Sequence, residues 1–363
     1  MASSTSLVDA VSRSDIPSRV SIVTKEHAYK RLVEQSSYRE HNLFANNIFM
    51  RSPRDPLPDH VAELVTLVRR SRDSPGITHD QVLQDQALED LGADADEGHV
   101  AAFFREFVLR EDNAQHSLQR HEGTPMLECT VPNTASDLRV SKPVPDILYG
   151  YRLRNAFPSQ WTQLLPLVKE VSATNLRSSS LYPFFSIKFK GDMGSMWVAT
   201  NQCLGASSSC VNISEDLNSR LKQCGSNKVI ASTVFSLATN GTEARLYVSW
   251  KHDEVNYYTV IIRSFMLQDS KHYIEFYNTI RNIIDWGCGQ RLDEIREAMD
   301  ILLSTARKRA PEVVESHTPP RPDAPNRTQA KRKKKPDKGG KAAKETAQKI
   351  RRSSRIRKQT EKL

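Results

Sequence analysis

Leu181-Tyr-Pro-Phe-Phe-Ser-Ile-Lys-Phe-Lys190 is the stretch on which the fold turns. Phe185, Ile187 and Phe189 alternate with Ser186, Lys188 and Lys190, the period of two that places successive side chains on opposite faces of a strand. A strand is therefore predicted over Leu181–Lys190. The turn Gly191–Gly194 follows, and Ser195–Cys224 reads as one long or broken helix. Beyond it, Ile230–Thr239 and Glu243–Lys251 read as strands joined at Asn240-Gly241, a two-residue hairpin signal. Tyr257–Phe265 reads as a third strand or its continuation.

Working back from the same stretch, Pro143–Tyr149 is a short extended segment, and Phe157–Ser172 has helical spacing interrupted by Pro166. Met126–Val131 is expected to form the first strand of the sheet, with Asp137–Ser141 a second short strand or part of the lead-in. Pro56-Leu57-Pro58-Asp59 opens a helix whose Val61, Leu64, Val65 and Val68 share a face. Further helices are expected at Gln81–Leu91 and His99–Val108, the latter with Val100, Phe103, Phe104 and Phe107 on one side. Ser270–Trp286 and Arg291–Arg309 close the domain, with Leu292, Ile295, Met299, Leu302 and Leu303 as the apolar face of the second. The pattern is α/β: a core sheet flanked by helices.

Composition sets the limits of this domain. The chain has 363 residues, a net charge of +9 and 38% hydrophobic residues. Ala310–Leu363 carries 17 Lys and Arg against 6 Asp and Glu, a net of +11, which leaves the body at −2. The basic balance belongs to the tail, so it argues for polyanion binding by the tail alone. Three parts follow: a disordered, Ser-rich 1–37 with a short helix at Lys25–Gln35, an α/β domain over 38–309, and a disordered basic tail over 310–363. Five cysteines form no C-x-x-C pair, which reads as reduced thiols and excludes a disulfide framework or zinc ribbon. No apolar run reaches the length of a membrane span, and the N-terminus lacks the apolar core of a signal peptide.

Several segments carry a resemblance. Pro143-Val-Pro-Asp-Ile-Leu-Tyr-Gly-Tyr151, the strand ending Phe189-Lys190, and Trp197-Val-Ala-Thr-Asn-Gln-Cys203 resemble an uncharacterised fungal family, a domain of unknown function. So do Phe235-Ser236, Asn240-Gly-Thr-Glu-Ala-Arg-Leu-Tyr247, Ser249-Trp-Lys-His-Asp253 and Arg281-Asn-Ile-Ile-Asp-Trp-Gly287. The similarity runs from about Tyr38 to Leu303. That family in turn resembles the PD-(D/E)XK superfamily, which implies a restriction-endonuclease-like core and a Mg²⁺-dependent nuclease site. In such a site an Asp and a second acid on adjacent strands hold Mg²⁺ through hard oxygens, and a Lys two residues after the second acid shares its strand face.

The resemblance places the first acid at Asp146 and the lysine at Lys190, and puts Lys188 where the second acid belongs. Exchanging a carboxylate for an ammonium alters local charge by two, and unit charges about 4 Å apart interact by about 4 kcal/mol at an effective dielectric near 20. Metal binding is therefore opposed, and the implied centre is degenerate. Gln202, on the helix after the triplet, resembles the glutamine that many superfamily members keep near metal or substrate. Glu106 is a candidate accessory carboxylate, and Asp192 a candidate relocated acid that would restore a Mg²⁺-dependent nuclease. Against all of these, Pro-Asp is a common turn element, and Lys188 and Lys190 fit a solvated strand face.

Other groupings read as structural. Lys251-His252-Asp253-Glu254 fits a polar strand end, and Cys203 and Cys210 fit small buried side chains on one helix face. In the tail, Lys331, Arg332, Lys333, Lys334 and Lys335 form one basic cluster, and Arg351, Arg352, Arg355, Arg357 and Lys358 a second. Both suit recognition by the nuclear import machinery and sequence-independent binding of DNA or RNA phosphates. The sequence thus points to a nuclear, nucleic-acid-associated protein. The alternatives are an active nuclease and a protein-interaction module that binds no nucleic acid.

Overall fold

The computed structural model describes residues 32–72, 76–109, 116–132, 137–175 and 180–309. Most of the expected helix at Lys25–Gln35 and all of the basic tail lie outside them. Seven strands form one mixed sheet: β1 (Ile48–Met50), β2 (Leu118–Glu122), β3 (Ile147–Tyr151), β4 (Leu181–Phe189), β5 (Val234–Thr239), β6 (Glu243–Lys251) and β7 (Tyr257–Met266). Their spatial order is β1-β7-β6-β5-β4-β3-β2. β2, β3 and β4 alternate in direction, β5 lies parallel to β4, and β5, β6 and β7 again alternate. β1 adds a parallel edge beside β7.

Five longer helices cover the sheet: α1 (Asp59–Val68), α2 (Glu97–Phe103, continued by a π-helical turn over Phe104–Val108), α3 (Met196–Gln223), α4 (Ser270–Cys288) and α5 (Gln290–Arg309). The crossover that makes β4 and β5 parallel is α3. The Ser195 hydroxyl caps its start by accepting the Val198 amide at 3.3 Å. Its end closes with Ser226 N donating to Leu221 O and Gly225 N to Lys222 O, a Schellman pattern. The run Gly205-Ala-Ser-Ser-Ser209 is buried, and its small side chains let the helix approach the sheet. Three hydroxyls partner one another at that interface, where Ser249 Oγ donates to Ser207 Oγ at 2.8 Å and lies 2.7 Å from Thr259 Oγ1.

The opposite face is aromatic. Phe104 meets Phe189 at 5.2 Å and Phe276 at 5.8 Å, and Phe276 meets Phe265 at 5.4 Å. One cluster thereby joins the α2 continuation, β4, β7 and α4. Arg291 fastens α5 to the rest. Its buried guanidinium donates to Ala231 O at 2.7 Å and Ser214 Oγ at 3.0 Å, and lies 5.3 Å from the Trp286 ring. Burial pushes its pKa down.

Several sequence expectations need correction. Met126–Val131 is not a strand: it holds a 3-10 turn at Glu128–Thr130 and is pinned by Met126 N to Pro143 O and Leu127 N to Ala173 O. Asp137–Ser141 is irregular, tied to the N-terminal region by Ser141 N donating to the Tyr38 hydroxyl. The outer strands are instead β1 and β2. The helix expected over Gln81–Leu91 is two short ones, His79–Leu83 and Gln86–Leu91, each starting from its own side-chain cap, Thr78 and Asp85. The β5–β6 connection spans Asn240–Thr242, because Asn240 Oδ1 accepts the amides of Thr242 and Glu243. The 161–171 region does break where Pro166 implied, with a 3-10 turn at Leu165–Leu167 between two short helices.

Gly287 on α4 marks the closest approach of that helix to the sheet. A Cβ there would fall 2.1 Å from Phe184 Cζ, while Tyr151 Oη donates to its carbonyl at 2.8 Å. Gly287→Ala is expected to destabilise the domain by about 1–3 kcal/mol through overpacking, read as a lower urea midpoint. An unchanged midpoint would show that the ring can move aside.

Candidate functional site

The site is assembled at the carboxyl end of β4. Asp146 immediately precedes β3, and its backbone is held on both sides: its amide donates to Ile187 O at 3.0 Å and its carbonyl accepts from Gly123 N at 3.0 Å. This register lays the Asp146 carboxylate across the end of the adjacent strand. Oδ2 accepts the Phe189 amide at 2.6 Å, and Oδ1 accepts from Lys188 Nζ at 2.5 Å. Lys188 lies beside Ala238 in the parallel pairing with β5, and the Lys190 amide extends that ladder to Thr239 O at 2.8 Å.

A fourth group completes the cluster. Glu97, in the first turn of α2, places Oε1 3.8 Å from Lys188 Nζ and Oε2 3.3 Å from Lys190 Nζ. Both lysines therefore reach the same side as Asp146. The helix start is fixed by backbone contacts: Asp192 N donates to Ala95 O at 3.0 Å, and a Cβ on Gly191 would meet Glu97 N at 2.9 Å. Only glycine allows the turn after β4 to come so near. Asp96 caps α2 by accepting the His99 amide at 2.8 Å.

Every residue of β4 is buried, Lys188 included. The solvated strand face that the alternation permitted is thus replaced by a covered one. Side-chain exposure is 11% for Lys188, 14% for Lys190 and 19% for Asp146, against 50% for Glu97. The Lys188–Asp146 pair lies in a shielded setting where its partners depend on each other, whereas the pairs to Glu97 are half open to solvent and individually weak.

Gln202 stands on the second turn of α3 and, with Val144, Pro145, Ser186, Lys188, Cys203 and Ala206, lines a small cleft beside the cluster. Among the described residues, Gln202 Oε1 and Ser186 Oγ are buried without a hydrogen-bond partner. Glu106 is exposed on the π-helical turn and takes no part. Asp192 makes no ion pair with the cluster among the described residues. The acid that does arrive, Glu97, lay ahead of the helix expected from His99 and carried no sequence signal; the Asp96 cap starts that helix two residues earlier. His252 stacks on Tyr258 at 4.4 Å and Asp253 accepts the Val255 and Asn256 amides, so that segment is a turn-forming strand end. Cys203 donates to Leu237 O at 3.4 Å, and burial pushes its thiol up to about 12, opposed by the Lys188 charge.

The residues do not fit a Mg²⁺ ion. Both Asp146 oxygens are engaged, the Lys188 ammonium lies 2.5 Å from one of them, and Mg²⁺ requires a near-octahedral shell of oxygens. No group of three or more His, Cys, Asp or Glu able to hold a metal is present among the described residues. No helix among them is long and apolar enough to cross a membrane.

Two measurements probe this geometry. Asp146→Ala strands the Lys188 ammonium and is expected to lower stability by about 2–3 kcal/mol, more than Lys188→Met does, as read by urea denaturation. Equal losses would mean that the pair is not mutually dependent. Thiolate is the reactive form of cysteine, so exposed Cys129 is expected to react with a thiol reagent at pH 8 while buried Cys203 and Cys210 react only on unfolding. Fast native labelling of Cys203 would contradict its burial.

Comparison with curated proteins finds no match. A family model described as a domain of unknown function, DUF7924, matches residues 93–299. This span runs from just before α2 to within α5 and contains Asp146, Glu97 and both lysines of the cluster. Because it covers more than half of the 363 residues, the chain belongs to the DUF7924 family.

Proposed function

We propose that this protein is a nucleic-acid-associated factor whose folded domain keeps the frame of a PD-(D/E)XK nuclease without its metal chemistry. The observation that carries the reading is the 2.5 Å pairing of Lys188 Nζ with Asp146 Oδ1. Three features support descent from such a site. Asp146, directly before β3, and the Lys188-Phe189-Lys190 triplet at the end of β4 belong to neighbouring strands. The two lysines share a side. Gln202 follows on the next helix, and it lines the cleft beside Lys188. What is missing is the second acid, and its replacement is bonded to the first. Such a centre holds a phosphodiester by lysine contacts rather than by metal-assisted attack.

In this reading nucleic-acid affinity and nuclear import belong to the basic tail, through Lys331–Lys335 and Arg351–Lys358. Lysine and arginine clusters bind phosphates by releasing counterions, so the affinity falls steeply with salt.

The test compares wild type with Lys188→Glu. Wild type is expected to leave plasmid and single-stranded DNA intact in Mg²⁺ or Mn²⁺, and Lys188→Glu to gain metal binding and cleavage. Deleting residues 310–363 is expected to abolish DNA binding at moderate salt. Cleavage by wild type that disappears in Asp146→Ala would establish an active nuclease and overturn the reading. Absence of nucleic-acid binding by the full chain would favour a protein-interaction module.

A further inference from the structure

Lys188 does more than fail as a metal ligand. Its ammonium reaches two carboxylates from separate parts of the fold, Asp146 at the start of β3 and Glu97 at the start of α2, at 2.5 and 3.8 Å. Neither carboxylate is placed by chance. The Phe189 amide orients Asp146 from its other oxygen, and Glu97 is held over the strand end by the close backbone packing of Gly191 and the Asp192–Ala95 hydrogen bond. Two acids brought together from two elements need a cation between them, and here the shared cation is covalently attached, while Lys190 Nζ flanks Glu97 alone at 3.3 Å. Buried neutral oxygens, Ser186 Oγ and Gln202 Oε1, line the cleft beside Lys188 and lack a partner among the described residues.

We infer that Lys188 is a tethered replacement for a divalent cation and that Glu97 is the second carboxylate of the centre. Removing the Lys188 ammonium alone, with no acid added, leaves a site that takes up a divalent ion between Asp146 and Glu97. The inference builds on the degenerate-centre reading but assigns a residue outside the triplet. It also implies that the native domain is indifferent to chelators.

The experiment titrates Mn²⁺ into the full-length wild type, Lys188→Ala, Lys188→Met and the double variant Lys188→Ala/Glu97→Gln, by calorimetry and by thermal melting. Met ends one atom short of the ammonium position and keeps the aliphatic stem, so it carries the test should the Ala variant fold poorly. The single variants are expected to bind Mn²⁺ at least about tenfold more tightly than wild type, a difference of about 1.4 kcal/mol, and to melt higher with Mn²⁺. The Glu97→Gln change is expected to return affinity to the wild-type level. Wild type is expected to melt at one temperature with EDTA or Mn²⁺. Folded single variants that bind no better than wild type, or a double variant that binds as well as the single, would overturn the assignment of Glu97 and leave the degenerate-centre reading standing. A wild type that binds Mn²⁺ strongly, or melts lower in EDTA, would overturn both.

Discussion

The ion pair between Lys188 and Asp146 is the constraint around which this domain is arranged. It sits near the middle of a seven-stranded sheet, where β4 is covered on both faces. A lone ammonium in that position would be costly, since buried charge is tolerated only with a partner and further hydrogen bonds. The fold supplies these by threading Asp146 across the end of β4, spending one carboxylate oxygen on the Phe189 amide and the other on the lysine. The turn after β4 and the start of α2 then have to meet, and the glycine at position 191 permits it. The local charges balance within the cluster, two ammoniums against two carboxylates, with no external ion required.

Much of the centre of the fold was legible because its signals are local and strong. The alternation in Leu181–Lys190, the capped length of Ser195–Cys224 and the alternating run in Glu243–Lys251 each correspond to an element with nearly the expected bounds. The edges were not legible. β1 is three residues long, too short to show a period, and β2 reads Leu-Gln-Arg-His-Glu, with little apolar content, because an edge strand needs only one well-buried side. Met126–Val131 has the composition of a strand, yet its backbone groups bond to Pro143 and Ala173 in a connecting segment. Tertiary partners decided that case against propensity.

Asp146, Lys188, Lys190 and Gln202 were singled out in the sequence, and the structure brings the first three into one cluster with Gln202 beside it. Glu97 was not, since it precedes the helix expected at His99–Val108, and a glutamate beside a helix start ordinarily just complements the helix dipole. Its role depends on where α2 begins relative to β4, which spacing cannot encode. The burial of Lys188 was equally hidden. A lysine alternating with Phe and Ile looks like the wet face of a half-buried strand, and only the packing of α3 across that face shuts out water. Arg291 makes the same point with different chemistry: its charge is buried against Trp286 and donates to a carbonyl and a hydroxyl, with no motif to announce it.

The family match starts at residue 93, whereas the packed body starts earlier. Leu43, Ile48, Val61 and Val68 are almost wholly shielded, and the Asn282 side chain of α4 donates to Val68 O at 3.0 Å. A fragment trimmed to the matched span would lay bare one flank of α4 and the outer hydrogen-bonding rim of β7, the kind of unsatisfied border through which sheets stick to one another. For this chain, then, the boundary of recognisable ancestry and the boundary of the packed body are different places, and the fifty or so residues between them behave as mortar.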